Sequence, residues 1–212
     1  MELISLKSII YDLLNIVRGA NVVDDELVSE RQIEAWIHQY RADLIKKELD
    51  KKKYPNPAYI QNINNVLLEW DSNKESYRTT IDIPKFIDLN YGYTSTFIGD
   101  TLGNQIQLVP ESRVQWQKYK RFTQEDPLAS INNNRIYIEN SAGINKIDIR
   151  GIFENPIKAV EANGETPTYD MEYPIPANMV VALKKLILKE QFGIELTSPS
   201  DINNDASGIL MK

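Results

Sequence analysis

The chain has 212 residues, 42% of them hydrophobic, and carries 24 basic against 30 acidic side chains for a formal net charge of -6. This length and apolar fraction suit one packed domain, or one domain bearing an insertion, and the acidic balance repels nucleic acid in bulk, so that only a local basic patch could bind it. The lack of cysteine and the single histidine exclude disulfides, thiolate zinc sites, cysteine nucleophiles and a two-histidine metal site within one chain, and they remove the commonest general base.

Leu6, Ile9, Ile10, Leu13 and Val17 recur at helical spacing, which predicts a first helix over residues 3–18 that Gly19 stops. Glu2, Lys7, Asp12 and Arg18 interrupt the apolar positions, so this stretch reads as neither a signal peptide nor a bilayer span. No apolar run in the chain approaches the roughly 20 residues a span needs. A short acidic link, Asp24-Asp25-Glu26, leads to Ser29-Glu30-Arg31-Gln32, a capping box that starts a second helix over about residues 29–53. Ile33, Trp36, Ile37, Tyr40 and Leu44 form its apolar stripe, with Arg31, Gln39, Asp43, Lys46 and Lys47 off it. Lys51, Lys52 and Lys53 meet the negative end of the helix dipole, and Tyr54-Pro55-Asn56-Pro57 ends the helix. The two helices are expected to pair with their stripes facing, and Asn56-Pro57 to start one further turn.

From about Ile63 the period falls to two. Val66, Leu68 and Trp70 alternate with Leu67 and Glu69, and residues 77–83 are rich in β-formers up to Pro84. Phe97-Ile98, the turn Gly99-Asp100-Thr101-Leu102-Gly103-Asn104 and residues 105–109 read as a hairpin. Residues 113–122 read as a short helix or irregular segment. Residues 135–139 and 146–153 are expected to pair around Asn140-Ser141-Ala142-Gly143, with Ile147, Ile149, Gly151 and Phe153 on one dry face. A dry face backed by a wet one implies an antiparallel sheet.

Asn155-Pro156 ends the last strand, and residues 162–173 form a polar connection. Pro174-Ile175-Pro176 then opens a third helix, with Met179, Val180, Leu183, Leu186 and Ile187 on its stripe and Gly193 as its stop. The expected architecture is α+β. A helical bundle draws on both ends of the chain, residues 1–58 and 174–196, around Ile33, Trp36, Ile37, Tyr40, Leu44, Val180, Leu183 and Ile187. An antiparallel β-sheet insertion occupies residues 59–173. Residues 197–212 form a flexible C-terminal tail, polar until Ile209-Leu210-Met211 and too poor in apolar surface to order itself.

The chemistry-bearing candidates are few. His38 lies roughly 140 degrees around the helix from Ile33, at 100 degrees per residue, and is expected on the surface. Asp201, Asn203 and Asp205 have the spacing of a calcium loop, but Ala206 replaces the required glycine and Lys212 the bidentate glutamate. Arg113, Trp116, Lys118, Tyr119, Lys120, Arg121 and Phe122 interleave basic and aromatic side chains as a single-strand binding surface does. The blander expectation is that Val114, Trp116 and Tyr119 pack onto the sheet and leave the charges in water. No phosphate loop, dinucleotide fingerprint, nucleophile elbow or zinc-protease helix is present, and a carboxylate pair for glycoside hydrolysis is defined by a separation in space rather than in sequence.

Several stretches together carry a family resemblance: Arg150-Gly151-Ile152-Phe153-Glu154-Asn155-Pro156, Tyr173-Pro174-Ile175-Pro176, Phe97-Ile98-Gly99-Asp100, and Pro199-Ser200-Asp201-Ile202-Asn203-Asn204-Asp205. In this order, across nearly the whole chain, the sequence resembles the head-to-tail connector (adaptor or ring) proteins of tailed bacteriophages, with its closest likeness to the short-tailed, crAss-like group. The resemblance implies a virion structural protein, made in the host cytoplasm, that is not an enzyme and needs no cofactor. It implies a ring, usually of twelve copies, that docks below the portal and surrounds a channel through which DNA passes without sequence-specific binding or membrane contact. Ile209, Leu210 and Met211 of the tail, with Asp100 and Asn104 of the hairpin turn, are then the partner-binding candidates. A single-strand nucleic-acid module built on Trp116, and a small carboxylate-based phage cell-wall hydrolase, are the alternatives.

Overall fold

The computed structural model describes residues 4–19, 28–51, 54–90, 92–116, 119, 122, 125–141 and 143–194. Among them the chain begins with α1 (Leu6–Val17) and α2 (Glu30–Leu49), then a 3-10 turn at Pro57–Tyr59. The sheet strands β1 (Gln61–Asp71), β2 (Ser76–Thr79), β3 (Asp88–Leu89), β4 (Gly92–Tyr93), β5 (Ser95–Asp100) and β6 (Gln107–Leu108) precede a one-turn α3 (Glu111–Val114). Then come β7 (Leu128–Asn132), β8 (Arg135–Glu139), β9 (Lys146–Gly151), α4 (Pro156–Ala162) and α5 (Ala177–Phe192).

Local chemistry fixes the helix ends. Ser5 and Ser29 accept the amides of Ser8 and Gln32 at 3.2 Å each, capping α1 and α2. The first helix therefore starts at Leu6, later than the sequence predicts. Asn56 caps the 3-10 turn through the Ala58 amide. Gly193, at φ +65, closes α5 in the left-handed conformation that glycine adopts freely. Leu6, Ile9, Leu13, Ile33, Ile37, Leu183 and Ile187 are buried in one cluster shared by α1, α2 and α5, with Val180 beside them and Trp36, Tyr40 and Leu44 partly buried against it. Trp36 meets the Phe192 ring edge-on at 5.6 Å. The residues flanking α1 are tied down too, since the Tyr173 amide donates to the Ile4 carbonyl and the Lys7 amide to that of Tyr169.

The large sheet has the order β5-β9-β1-β2-β8-β7-β6, with β3 and β4 as a separate ribbon. Its two outermost strands are consecutive in sequence. A bridge between Gly99 and Gln105 and a 2.7 Å bond from the Ile106 amide to the Ile98 carbonyl link them, so the sheet nearly closes on itself. Ile63, Val66, Ile98, Ile106, Ile136, Ile138, Ile147 and Ile149 fill the interior, and Ala159 of α4 packs against them. On the wet face Arg78 pairs with Glu69 and Asp71, and Arg135 with Glu69 and Asp82.

Three expectations about the strands are corrected. β8 and β9 do not pair with each other: β1 and β2 lie between them. β8 instead forms a hairpin with β7 through Asn133 and Asn134, both at positive φ, the geometry of a type I′ turn that suits the strand twist. The sheet is not wholly antiparallel, because β6 and β7 run parallel. β6 leads into α3 rather than into a tight turn to β7, which permits the same direction. Finally, β2 stops at Thr79, short of Ile83, because the Thr79 hydroxyl donates to the Ile81 carbonyl and turns the chain aside. Residues 156–161, for which the sequence predicts no element, form α4 with Ala162. Asn155 accepts the Ile157 and Lys158 amides, and Pro156 at the first position pre-sets α4.

Candidate assembly site

The Gly99-to-Asn104 loop satisfies its own polar groups. The Asp100 carboxylate accepts the Leu102 amide at 3.0 Å, the Asn104 amide at 2.8 Å and the Asn104 side-chain amide at 2.7 Å. In return the Asn104 carbonyl accepts the Asp100 amide at 3.0 Å. The side-chain bond from Asn104, aided by backbone amides, holds the Asp100 carboxyl below its ordinary range. Gly103 takes φ +93, and a Cβ on Gly99 would collide with the Phe97 ring and the Asn104 carbonyl oxygen. Thus the two partner candidates Asp100 and Asn104 spend their polar groups on each other, and Leu102 at the apex stands 86% exposed. Sequence reasoning passed over Leu102. Its signal is an aliphatic side chain set between Asp100 and Gly103 in a turn that otherwise has no reason to hold one.

At the other end of β5 lies an open cleft of about 510 Å³, lined by Leu49, Pro55, Leu89, Tyr93, Thr96 and Ile152. Asp50 and Lys51 border it, and the Asp50 carboxylate accepts the Asn90 side chain at 3.3 Å. The cleft lies where α2 ends, the β3–β4 ribbon turns and β5 begins. Beneath it Ile45, Tyr59, Ile87 and Ile152 form a small buried cluster joining α2 to the strands.

The same junction holds a buried polar node. Arg41 is fully buried, its Nε donating to the Pro174 carbonyl at 2.9 Å and its Nη1 to the Phe153 carbonyl at 3.0 Å. Its guanidinium sits 5.6 Å from the centre of the Tyr173 ring, and burial lowers its pKa. His38, expected at the surface, is only 7% exposed. Its Nδ1 lies 2.8 Å from the Tyr173 hydroxyl and its Nε2 3.5 Å from a Glu34 carboxylate oxygen, which favours the Nε2–H tautomer with Tyr173 donating to Nδ1. Burial, partly opposed by Glu34, lowers the His38 pKa to about 4. The physical reason for the correction is that α2 has two covered sides. One faces α1 and α5, and the segment leading into α5 covers the other.

The basic and aromatic segment does not pack down as expected. Trp116 and Tyr119 are 68% and 73% exposed, their rings 6.2 Å apart. Lys118, Lys120 and Arg121 lie outside the described residues, as do Lys52, Lys53, the acidic link at residues 24–26, Asp201, Asn203, Asp205 and the tail candidates Ile209, Leu210 and Met211. Among the described residues no group of three or more His, Asp or Glu side chains is placed to hold a metal ion, and no helix is long and apolar enough to cross a membrane.

A folded body with a self-contained protruding loop, an apolar cleft and exposed aromatic side chains is suited to holding other proteins. A comparison with curated proteins found no match. A scan against family models matched residues 8–208 to the family described as phage tail ring protein 2 of crAss-like phages, and the chain belongs to that family of virion structural ring proteins.

Proposed function

We propose that this chain is the repeating subunit of a head-to-tail connector ring, twelve copies docking below the portal and lining or surrounding the DNA channel, without enzymatic activity. The family match over residues 8–208 carries this reading. The net charge of -6 fits a channel that lets DNA slide rather than hold it. In this reading the helices of residues 1–58 and 174–196 form one body, residues 59–173 a β insertion borne on it, and residues 197–212 a tail that embraces a partner. Electron microscopy of the purified protein, alone and with a portal, tests it. Closed twelve-fold rings are expected, and a protein that stays monomeric even in the presence of the portal overturns it.

The exposure of Trp116 and Tyr119 favours one second reading, a surface that stacks single-stranded nucleic acid. Binding that falls steeply with salt and is lost on Trp116→Ala supports that reading. Binding unchanged by the substitution removes it.

A further inference from the structure

Lys74, Glu111 and Asn132 come from three separate segments and meet over one aromatic ring. Lys74 sits in the turn joining β1 to β2, where the Asp71 carboxylate accepts the Asn73 amide at 2.9 Å and Glu75 takes φ +51. Glu111 opens α3, just after the Val109 amide has donated to the Ala129 carbonyl of β7, and Asn132 ends β7. One Glu111 oxygen accepts from Lys74 Nζ at 2.6 Å and from Asn132 Nδ2 at 2.7 Å, and the other oxygen lies 2.7 Å from the same Nδ2. Beneath them the buried Tyr137 ring has its centre 4.4 Å from Nζ. An amine and a carboxamide are thus held against one carboxylate. We propose that these three residues form a self-crosslinking site, in which Lys74 and Asn132 join through an amide bond with Glu111 as the proton carrier.

The step balances without a co-reactant. Unprotonated Lys74 Nζ attacks the side-chain carbon Cγ of Asn132, and Glu111 takes a proton from the attacking nitrogen and passes it to Nδ2. The Cγ–Nδ2 bond breaks and ammonia leaves. The new Nζ–Cγ amide remains, and the chain is about 17 Da lighter. Holding amine and carboxamide on one carboxylate removes the entropy of bringing them together. The hydrogen bonds from Lys74 and then Asn132 keep the Glu111 carboxyl below its ordinary range, so it is ionised near neutral pH and able to accept the proton. Lys74 and Glu111 keep 35% and 53% of their side-chain surface exposed. Ammonia therefore escapes freely, but the amine stays hydrated, so the reaction is slow near neutral pH and quickens as pH rises. The bond spans β8, tying the β1–β2 turn to β7. In a chain without cysteine it does what a disulfide does elsewhere, closing a long loop and restricting the unfolded chain. It forms within a single subunit, independently of ring assembly.

The test follows the full chain by intact mass and tryptic peptide mapping over several days at pH 7 and at pH 9.5, beside Lys74→Arg, Asn132→Ala and Glu111→Ala. The expected result is a loss of about 17 Da, faster at pH 9.5, with a branched peptide linking Lys74 to Asn132 and no tryptic cut after Lys74. Lys74→Arg keeps the charge but cannot shed its proton, so it should give no branched peptide, and neither should Asn132→Ala. Glu111→Ala should form the branch at least about tenfold more slowly. Asn163-Gly164 can also shed ammonia, by closing to a succinimide of the same mass, so the branched peptide decides and not the mass alone. Separate Lys74 and Asn132 peptides in full yield after the incubation at pH 9.5 overturn the proposal. A branch that forms as fast in Glu111→Ala overturns the part assigned to Glu111.

Discussion

Arg41 and His38 sit side by side in the joint between α2, the end of β9 and the segment before α5, and each makes a prediction of its own. The guanidinium has two carbonyl acceptors and an aromatic face rather than a carboxylate. Arg41→Met keeps most of the stem volume but strands the Phe153 and Pro174 carbonyls, and it should cost about 2–4 kcal/mol in urea unfolding. His38 meets Glu34, Tyr173 and Arg41, and its folded pKa of about 4 lies below the ordinary 6.5. The unfolded chain therefore takes up the proton first as pH falls. The histidine's contribution is fully present above pH 6.5 and declines toward pH 4, by about 3 kcal/mol at 1.36 kcal/mol per pKa unit. Comparing the unfolding free energy of the protein with that of His38→Gln at pH 7.5 and pH 5 isolates this slope from the carboxylates, and parallel profiles would refute it.

At the scale of elements, the Gly99-to-Asn104 loop depends on one carboxylate. Asp100→Ala removes three accepted hydrogen bonds from an exposed turn. The expected result is much faster hydrogen exchange at the Leu102 and Asn104 amides, with a change in melting temperature of no more than about 4 °C. Unchanged exchange at those amides would show that the backbone bonds alone hold the loop. The turn and the helices α1, α2 and α5 were legible in sequence because their signals are local: Ser29 as a cap, Gly193 as a stop, two glycines in the hairpin. Strand partners were not. β8 and β9 are neighbours along the chain with a plausible turn between them, yet the long β1 and its partner β2 intervene, and which strand wins an edge is decided by burial across the whole sheet. β7 went unread although Asn133-Asn134 between Ile131 and Ile136 is a good I′ turn, because its own residues Ala129 and Ser130 give a weak β signal. His38 misled for a similar reason. A helical wheel finds one stripe, while a helix wedged between two layers has two covered sides.

The molecule as a whole is tied together at the joint. Ile45, Tyr59, Ile87 and Ile152 bury there in one cluster, so the helices and the sheet should unfold in one transition, with Trp36 reporting on the former and Trp70 on the latter. Residues 197–212 are the proposed partner-binding arm. Residues 197–208 are largely Ser, Asn, Asp and Gly. Ile209, Leu210 and Met211 end that stretch as an isolated apolar group. In the proposed reading they bury against a surface supplied by a partner, which is worth several kcal/mol. Deleting residues 209–211 should therefore leave the melting temperature of the subunit within about 2 °C of the intact protein while weakening ring or portal association in sedimentation measurements. A large drop in melting temperature would instead place these three side chains in the subunit's own core, and the tail would lose its role as a partner-binding arm.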